Sequence, residues 1–468
     1  MLRLIHRPIV ILGFASAIAV LCGSPELWSQ ATQPAPGATP PAVPATPPPV
    51  AAAIDSLALP NGLRILVQTD PAQSRLSAGL WVGAGWVHNP RGKEGLADLA
   101  AAVDLRRGRA AITAGRAGKP EMLGDLQMNV ATDHTFFTAA GAAGDLGPVL
   151  SALAAVLPAA GESFDAASAM KEEALTNLLR TRRASGLVAR EAMSVALFGD
   201  RRPLGRSARF QTLLGVLPED VARFHSDYYH PSNSALVVGG PITAAEVSAA
   251  AKQAFGSWPA GTATTPAWAH AAEAPAHPGV TLIDAPDART AIVLAGFAAP
   301  GRESPDYPAI QLLNHVLGSQ RIEDPIATLA ATHPEGYQFR SQHRSSARGS
   351  EITLEVGVPH PLAARVVTDL QQNLAALQRS GLDPQAIEAE KTARRQSLAF
   401  RFESPIARLR EAASLMAAGA PIALAANPEP ALAALAPAAV NPLWQSLLAP
   451  EHIVWVVYGR AADLAPEL

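Results

Sequence analysis

The run Gly92-Lys93-Glu94-Gly95-Leu96-Ala97-Asp98-Leu99-Ala100-Ala101-Ala102-Val103 reads as the opening of a helix. Leu96, Leu99, Ala100 and Val103 fall at the i, i+3, i+4, i+7 spacing of a single buried helical face. Upstream, Leu76 to Val82 is an apolar strand, and Trp81-Val82-Gly83-Ala84-Gly85 ends it in small residues. Further back, Leu57–Leu59 and Leu63–Val67 are strand-like, with the hairpin signal Asn61-Gly62 between them. Downstream, strand character returns at Thr135–Thr138, and helices are expected over 144–158 and 165–183. Leu217-Pro218-Glu219-Asp220 opens another helix, with proline in its first turn and acids at its positive end. A short buried strand, Ala235–Val238, precedes the capping box Thr243-Ala244-Ala245-Glu246.

The second half repeats this scheme. Val280–Asp284 and Ala291–Ala295 are strands, followed by a helix from about Pro305 to Leu317. Ile352–Val358 alternates apolar and polar residues, the pattern of a half-buried strand. Two helices follow, the second started by Asp383-Pro384, and Ile453–Tyr458 is a final strand. The order implies two similar α+β domains, 54–260 and 275–468, separated by the Ala/Thr/Pro/Gly-rich stretch near Trp258–Pro278. A chain of 468 residues exceeds one ordinary core, and 49% apolar with 16% charged residues is globular.

A net charge of -3 offers no basic field for nucleic acid, and there is neither a phosphate-binding glycine run nor an aromatic platform in a basic surround. The single cysteine, Cys22, can form neither an intramolecular disulfide nor a cysteine-based zinc site. It falls inside an expected secretory signal peptide, residues 1–31. Arg3, His6 and Arg7 form the basic region, Ile9–Leu21 the apolar run, and Ser29-Gln30-Ala31 the small-residue cleavage site. That run is shorter than the roughly 20 residues needed to span a bilayer, so no membrane span is expected in the mature chain. The expected location is periplasmic or secreted. Residues 32–53, rich in Pro and Ala, read as an extended linker.

Several segments together resemble the insulinase/pitrilysin metallopeptidase family, whose members include the mitochondrial processing peptidase. Leu59-Pro60-Asn61-Gly62-Leu63-Arg64 is similar to its opening hairpin, and Gly92–Ala97 to the lead-in of its zinc helix. Asn129–Thr135, Phe198-Gly199-Asp200 with Pro203-Leu204-Gly205-Arg206, and Phe224–Asn233 with its Tyr-x-Pro-x-Asn pattern follow in family order. Asp306–Ala309 and Leu312–Gly318 resemble the helix that opens the other domain.

The family reads Gly-Leu-Ala-His-x-x-Glu-His where this chain has Gly95–Ala102. In that motif two histidines one turn apart share a metal, and the glutamate activates water. Aligned without gaps, Asp98 stands at the first histidine, Ala101 at the glutamate and Ala102 at the second histidine. Alanine has no lone pair for a metal and no proton to shuttle. The family's third ligand, a helical glutamate, matches Asn177 by one count and Glu173 or Ala174 by another, and Glu172 and Glu173 otherwise read as a solvated helix face. The twelve histidines supply no i, i+4 pair on an expected helix; His134, beside Asp133, is the best placed and reads as a packed or solvated side chain. No catalytic residue and no metal ligand is therefore assigned, and no cofactor is expected in this chain.

The resemblance further implies two related domains that enclose a peptide chamber with a partner, zinc lying in that partner. An Arg/Tyr pair in the non-metal wall would hold substrate and polarise its carbonyl. Matching on Gly336 puts Phe339 at the tyrosine position; matching by distance from Leu317-Gly318 puts Tyr337 there and Asp324 at the arginine position. Arg321 takes that role only if three residues are inserted after it. Tyr337, Arg321 and Phe339 are thus the candidate substrate-binding residues. The leading expectation is an exported, zinc-free, non-catalytic subunit of a heteromeric zinc metallopeptidase, paired with a zinc-bearing homologue and binding peptide. The alternatives are a stand-alone structural or peptide-binding pseudoenzyme, and an active metallopeptidase with unusual ligands.

Overall fold

The computed structural model describes residues 53–158, 166–181, 185–262, 275, 277, 279–330 and 337–464. The expected signal peptide with Cys22, nearly all of the Pro/Ala-rich linker, most of the stretch between the halves, and Glu335-Gly336 lie outside the described residues.

The first half contains strands β1 (Asp55–Ala58), β2 (Arg64–Thr69), β3 (Arg75–Val82), β4 (Gln127–Val130), β5 (Thr135–Ala142) and β6 (Ser234–Gly240). Its helices are α1 (Leu96–Thr113), α2 (Leu146–Ala154), α3 (Ala166–Thr181), α4 (Ser185–Phe198), the short α5 (Phe210–Leu214), α6 (Pro218–Tyr228) and α7 (Ala244–Phe255). The second half contains β7 (Gly279–Asp284), β8 (Ala291–Pro300), β9 (Gln338–Ser345), β10 (Gly349–Val358) and β11 (Val454–Gly459). Its principal helices are α8 (Tyr307–Leu317), α9 (Gln320–Ala330), α10 (Ala363–Ser380), α11 (Pro384–Arg401) and α12 (Pro405–Ala417). Four more follow, Ala423–Ala426, Glu429–Ala433, Pro437–Leu447 and Ala461–Leu464, and Pro437–Leu447 completes the second helical layer.

The strand orders are β1-β2-β6-β3-β5-β4 and β7-β11-β8-β10-β9. In each sheet one parallel pair, β2 with β6 and β7 with β11, sits in an otherwise antiparallel ladder. Leaving β1 aside, the two orders superimpose term by term, so the repeat read from the sequence is a repeat of topology. The expected hairpin forms between β1 and β2, with Gly62 at φ +95°, a conformation that favours glycine. Thr243 accepts from the Glu246 backbone N–H at 3.3 Å while the Glu246 carboxylate accepts from the Thr243 N–H at 2.8 Å, a capping box at the start of α7.

The two faces of each sheet are covered differently. Ile65, Val67, Leu80, Val82, Phe137 and Leu236 pack under α1, α2, α3, α6 and α7, helices of the same half. The opposite face, Leu66, Trp81, Phe136, Ala235 and Val237, is covered by Leu409, Ala412 and Ala413 of α12 from the second half. In the second sheet Val293, Ala295, Ile352, Leu354 and Val457 pack under their own helices. Ile292, Leu294, Val454 and Val456 are instead covered by Ala189, Met193, Ala196 and Leu197 of α4, from the first half. Each half thus lends one helix to the other's sheet.

This exchange revises the reading of β10. Its alternation predicted one wet face, yet Glu351, Thr353 and Glu355 are buried beneath α4. The charges are compensated: Glu351 pairs with Arg344 at 2.5 Å, and Glu355 with Arg190 of α4 at 2.8 Å and with Arg340 at 2.5 Å. A polar strand face can be interior when arginines converge on it.

Candidate functional site

The loop and helix at 83–102 are held by residues from several distant segments. Asn233 accepts and donates across Gly83: its backbone carbonyl takes the Gly83 N–H at 2.9 Å, and its amide donates to the Gly83 carbonyl at 3.1 Å. A Cβ at Gly83 would come 2.5 Å from the Asn233 side-chain oxygen, so the close approach requires glycine. Gly95, at φ +101°, precedes α1 and has no side chain to cap it; Asn89 accepts from the Ala97 N–H at 2.8 Å instead. Arg206 donates to the Asn89 carbonyl at 3.2 Å and faces Glu94 at 3.5 Å. The Pro203–Arg206 and Tyr229–Asn233 segments therefore position this helix.

The helix so positioned carries no metal chemistry. Ala101 and Ala102 are buried among apolar neighbours, and Asp98 is 7% exposed. Burial pushes the Asp98 carboxyl up to about 7, opposed only by its own backbone N–H. Across from it α3 turns Ala174 and Leu178 inward while Glu172 and Glu173 are exposed. Among the described residues no group of three or more His, Cys, Asp or Glu side chains is placed to hold a metal ion. Zinc does not fit here: one carboxylate beside two methyl groups is not a zinc donor set.

The polar contacts of α1 lie further along. Asp104, fully buried, accepts from His225 Nε2 at 2.9 and 3.0 Å and from Arg107 at 2.7 Å. His225 Nδ1 faces the Val221 carbonyl at 2.8 Å, so both ring nitrogens point at oxygen atoms. This network ties α1 to α6 and is structural in kind.

Tyr337, at the start of the β9 region, donates its hydroxyl to Glu323 of α9 at 2.7 Å. Burial and that carboxylate push the phenol up to about 12. Arg321 lies on α9 with its guanidinium 3.9 Å from Glu390 of α11. Phe339 packs against the second core. Among the described residues no hydrogen bond joins Tyr337 to Arg321; each is occupied by a carboxylate of its own half.

A second polar group, which the sequence did not single out, lies at the seam between the halves. Asp133 pairs with Arg302 at 2.5 Å, with His134 Nδ1 at 3.0 Å, and accepts from the Ala347 N–H at 2.7 Å. Burial alone would raise the Asp133 carboxyl, but Arg302 and His134 outweigh it and hold it well below the usual carboxylate range. His134 stacks on Trp81 with ring centroids 5.3 Å apart, so the packed reading of this histidine describes its place. Its Nε2 lies 3.4 Å from Arg410 of α12. Arg410 also donates to Asn129 and lies 5.3 Å over the Phe136 ring. Tyr307 donates to Glu411 at 3.3 Å. These residues are far apart in the chain and meet only because the halves exchange helices. Adjacency of Asp133 and His134 was the single signal available in the sequence.

Comparison with known proteins agrees with this geometry. Residues 216–394 match the family model described as the peptidase M16 inactive domain. The fold is similar to the crystal structure of a peptidase M16 inactive domain from Pseudomonas fluorescens, with TM-score 0.74 and 16% identity over 87% of this chain and 98% of that one. It is similar to the first half of the periplasmic protease PqqL from Escherichia coli, with TM-score 0.65 and 17% identity over 88% and 93% of the two chains. A chain of complex III2 from Candida albicans is similar with TM-score 0.67 and 14% identity over 88% and 97%. Among curated proteins none matches the chain. The resemblance to the insulinase/pitrilysin, or M16, family holds, and the family model that matches is one described as inactive. Two α+β units of antiparallel-rich sheet under helices are the fold of those neighbours.

Proposed function

We propose that this chain is an exported, zinc-free M16 subunit that pairs with a zinc-bearing homologue and forms the non-metal wall of a peptide chamber. One observation carries the reading: α1, which stands where the resemblance puts the zinc helix, is held in place through Asn233, Asn89, Arg206 and Gly95, while its ligand positions hold Asp98, Ala101 and Ala102. A scaffold kept without its metal chemistry suits a chain that shapes a site supplied by another. The similar chain in complex III2 is part of a multi-subunit assembly, which supports a role in assembly. Likeness to a periplasmic protease accords with the expected signal peptide. No described helix is long and apolar enough to cross a membrane.

The test is reconstitution. The purified chain, a zinc-bearing M16 homologue encoded beside it, and a mixture of the two are assayed on a quenched fluorescent peptide library with and without chelator. The expected result is chelator-sensitive cleavage by the mixture well above either chain alone, with both chains eluting together. Chelator-sensitive cleavage by this chain alone overturns the proposal.

A second reading, a stand-alone peptide-binding or structural pseudoenzyme, is favoured by one observation. Tyr337 donates its hydroxyl to Glu323, and Arg321 lies 3.9 Å from Glu390 on another helix, so the two are not held together as a pair toward a substrate carbonyl. Under that reading the two chains do not co-elute and no cleavage appears in the mixture.

A further inference from the structure

The seam between the halves holds more positive than negative charge. Arg302, Arg394, Arg401 and Arg410 act on one another or on the same neighbours, His343 and Glu411. Two carboxylates answer them. Asp133 is taken by Arg302, and Glu411 is shared between Tyr307 at 3.3 Å and Arg401 at 3.6 Å. Arg410 has only neutral partners, the Asn129 amide oxygen and His134 Nε2. Arg394, half-buried on α11, makes no hydrogen bond and no ion pair among the described residues. Burial and the like charge of Arg401 weaken its hold on its proton, down to about 10, against the opposing pull of Glu411.

An independent sign comes from β9. His343 Nε2 is buried with no hydrogen-bond partner, its ring 5.8 Å from Tyr307. Burial, with Arg302, Arg394 and Arg401 beside it, pushes that imidazole down to about 3, so the ring is neutral. A half-buried cation without a hydrogen-bonded counter-ion and a buried nitrogen without a partner both cost free energy. An acceptor-rich anion would satisfy the guanidinium, and the imidazole nitrogen as well in the tautomer that carries its proton there. Arg401 lies 5.6 Å over the Phe402 ring, and its chain neighbour Phe400 is 82% exposed on the last turn of α11.

We infer that Arg394 and Arg401, backed by Arg410 and His343, form a carboxylate-binding subsite for a peptide, with Phe400 as its apolar rim. Guanidinium groups pair with carboxylates through parallel N–H bonds, and an adjacent ring offers a surface for an apolar side chain. The subsite rests on the reading of this chain as a wall of a peptide chamber. The carboxylate comes from an acidic side chain or from the peptide's own C-terminus.

Fluorescence anisotropy on the purified chain separates these sources with three labelled decapeptides of otherwise identical sequence. One is glutamate-rich and amidated, one replaces each Glu with Gln and keeps a free C-terminus, and one replaces Glu with Gln and is amidated. The glutamate-rich or the free-C-terminus probe is expected to bind at least tenfold tighter than the doubly neutral one, and whichever does so identifies the source. Arg394→Gln is expected to abolish that tenfold preference, Arg394→Lys to keep part of it, and Arg379→Gln, on α10, to leave it unchanged. Because no carboxylate hydrogen-bonds to Arg394, Arg394→Gln is also expected to leave Tm unchanged or raise it. Equal affinity for all three probes, absence of binding, an unaltered preference in Arg394→Gln, or a marked fall in its Tm overturns the subsite. Loss of probe preference with intact co-elution of the two chains removes the subsite alone; intact preference without co-elution removes the partnership alone.

Discussion

Asp98 is an ionisable group on an apolar helical face, and its linkage to stability has a definite sign. Below about pH 4 it is protonated in folded and unfolded chains alike, whereas its ordinary value of 3.8 rises to about 7 on folding. Between these limits the unfolded chain loses the proton and the folded chain keeps it, so stability falls as pH rises, and the full cost is present above about pH 7. Asp98→Asn should therefore be near neutral at pH 4 and stabilising at pH 8 by on the order of 4 kcal/mol, read from urea midpoints across that range. Equal effects at both pH values would show that Asp98 is solvated. Restoring the motif's glutamate has the opposite outcome. Ala101 is fully buried, and Ala101→Glu places a carboxylate there without a partner, costing at least about 3 kcal/mol by the same assay. Which residues stand at the motif positions was legible in the sequence, because that needs only spacing along one helix. The displaced ionisation of Asp98 was not, since it depends on which apolar groups surround α1 from elsewhere in the chain.

Among the elements, α4 and α12 decide the architecture by crossing to the opposite sheet. Each meets a glycine there. A Cβ on Gly239 of β6 would come 2.6 Å from the Pro405 Cβ of α12, and one on Gly296 of β8 would come 2.6 Å from the Met193 sulfur of α4. A proline ring cannot swing aside, but a methionine side chain can. Gly239→Ala is therefore expected to destabilise by about 1–3 kcal/mol and Gly296→Ala by less, compared by denaturant unfolding of the two variants. Equal costs would mean that α12 slides as readily as Met193 bends. Strands and helices with strong local signals, such as the Asn61-Gly62 hairpin, the Thr243 capping box and the Asp383-Pro384 helix start, form where their residues predict. The wet face predicted for β10 failed because alternation reports which residues share a face, not what covers it. The cover is Arg190 and Ser194 of α4, more than 150 positions earlier in the chain.

For the molecule as a whole, the Asp133–Arg302 pair joins a strand end of the first half to the loop before α8 of the second. Both partners are largely buried, so removing one leaves the other's charge uncompensated. Asp133→Ala should cost about 3–5 kcal/mol, and Asp133→Ala with Arg302→Met should recover part of that loss. Additive losses in this double-mutant cycle would show that the pair does not couple the halves. The two-unit plan was legible because the second half repeats the order of strands and helices of the first. The charged seam was not, because its members are separated in sequence by nearly 170 positions and carry no shared motif. The proposed role requires α1 to be a positioned helix with no capacity for zinc. Its most direct test is metal analysis of the purified chain after incubation with stoichiometric zinc and gel filtration. The predicted result is no retained zinc, in wild type and in Asp98→Ala alike. One zinc held per chain, and lost in Asp98→Ala, would contradict it.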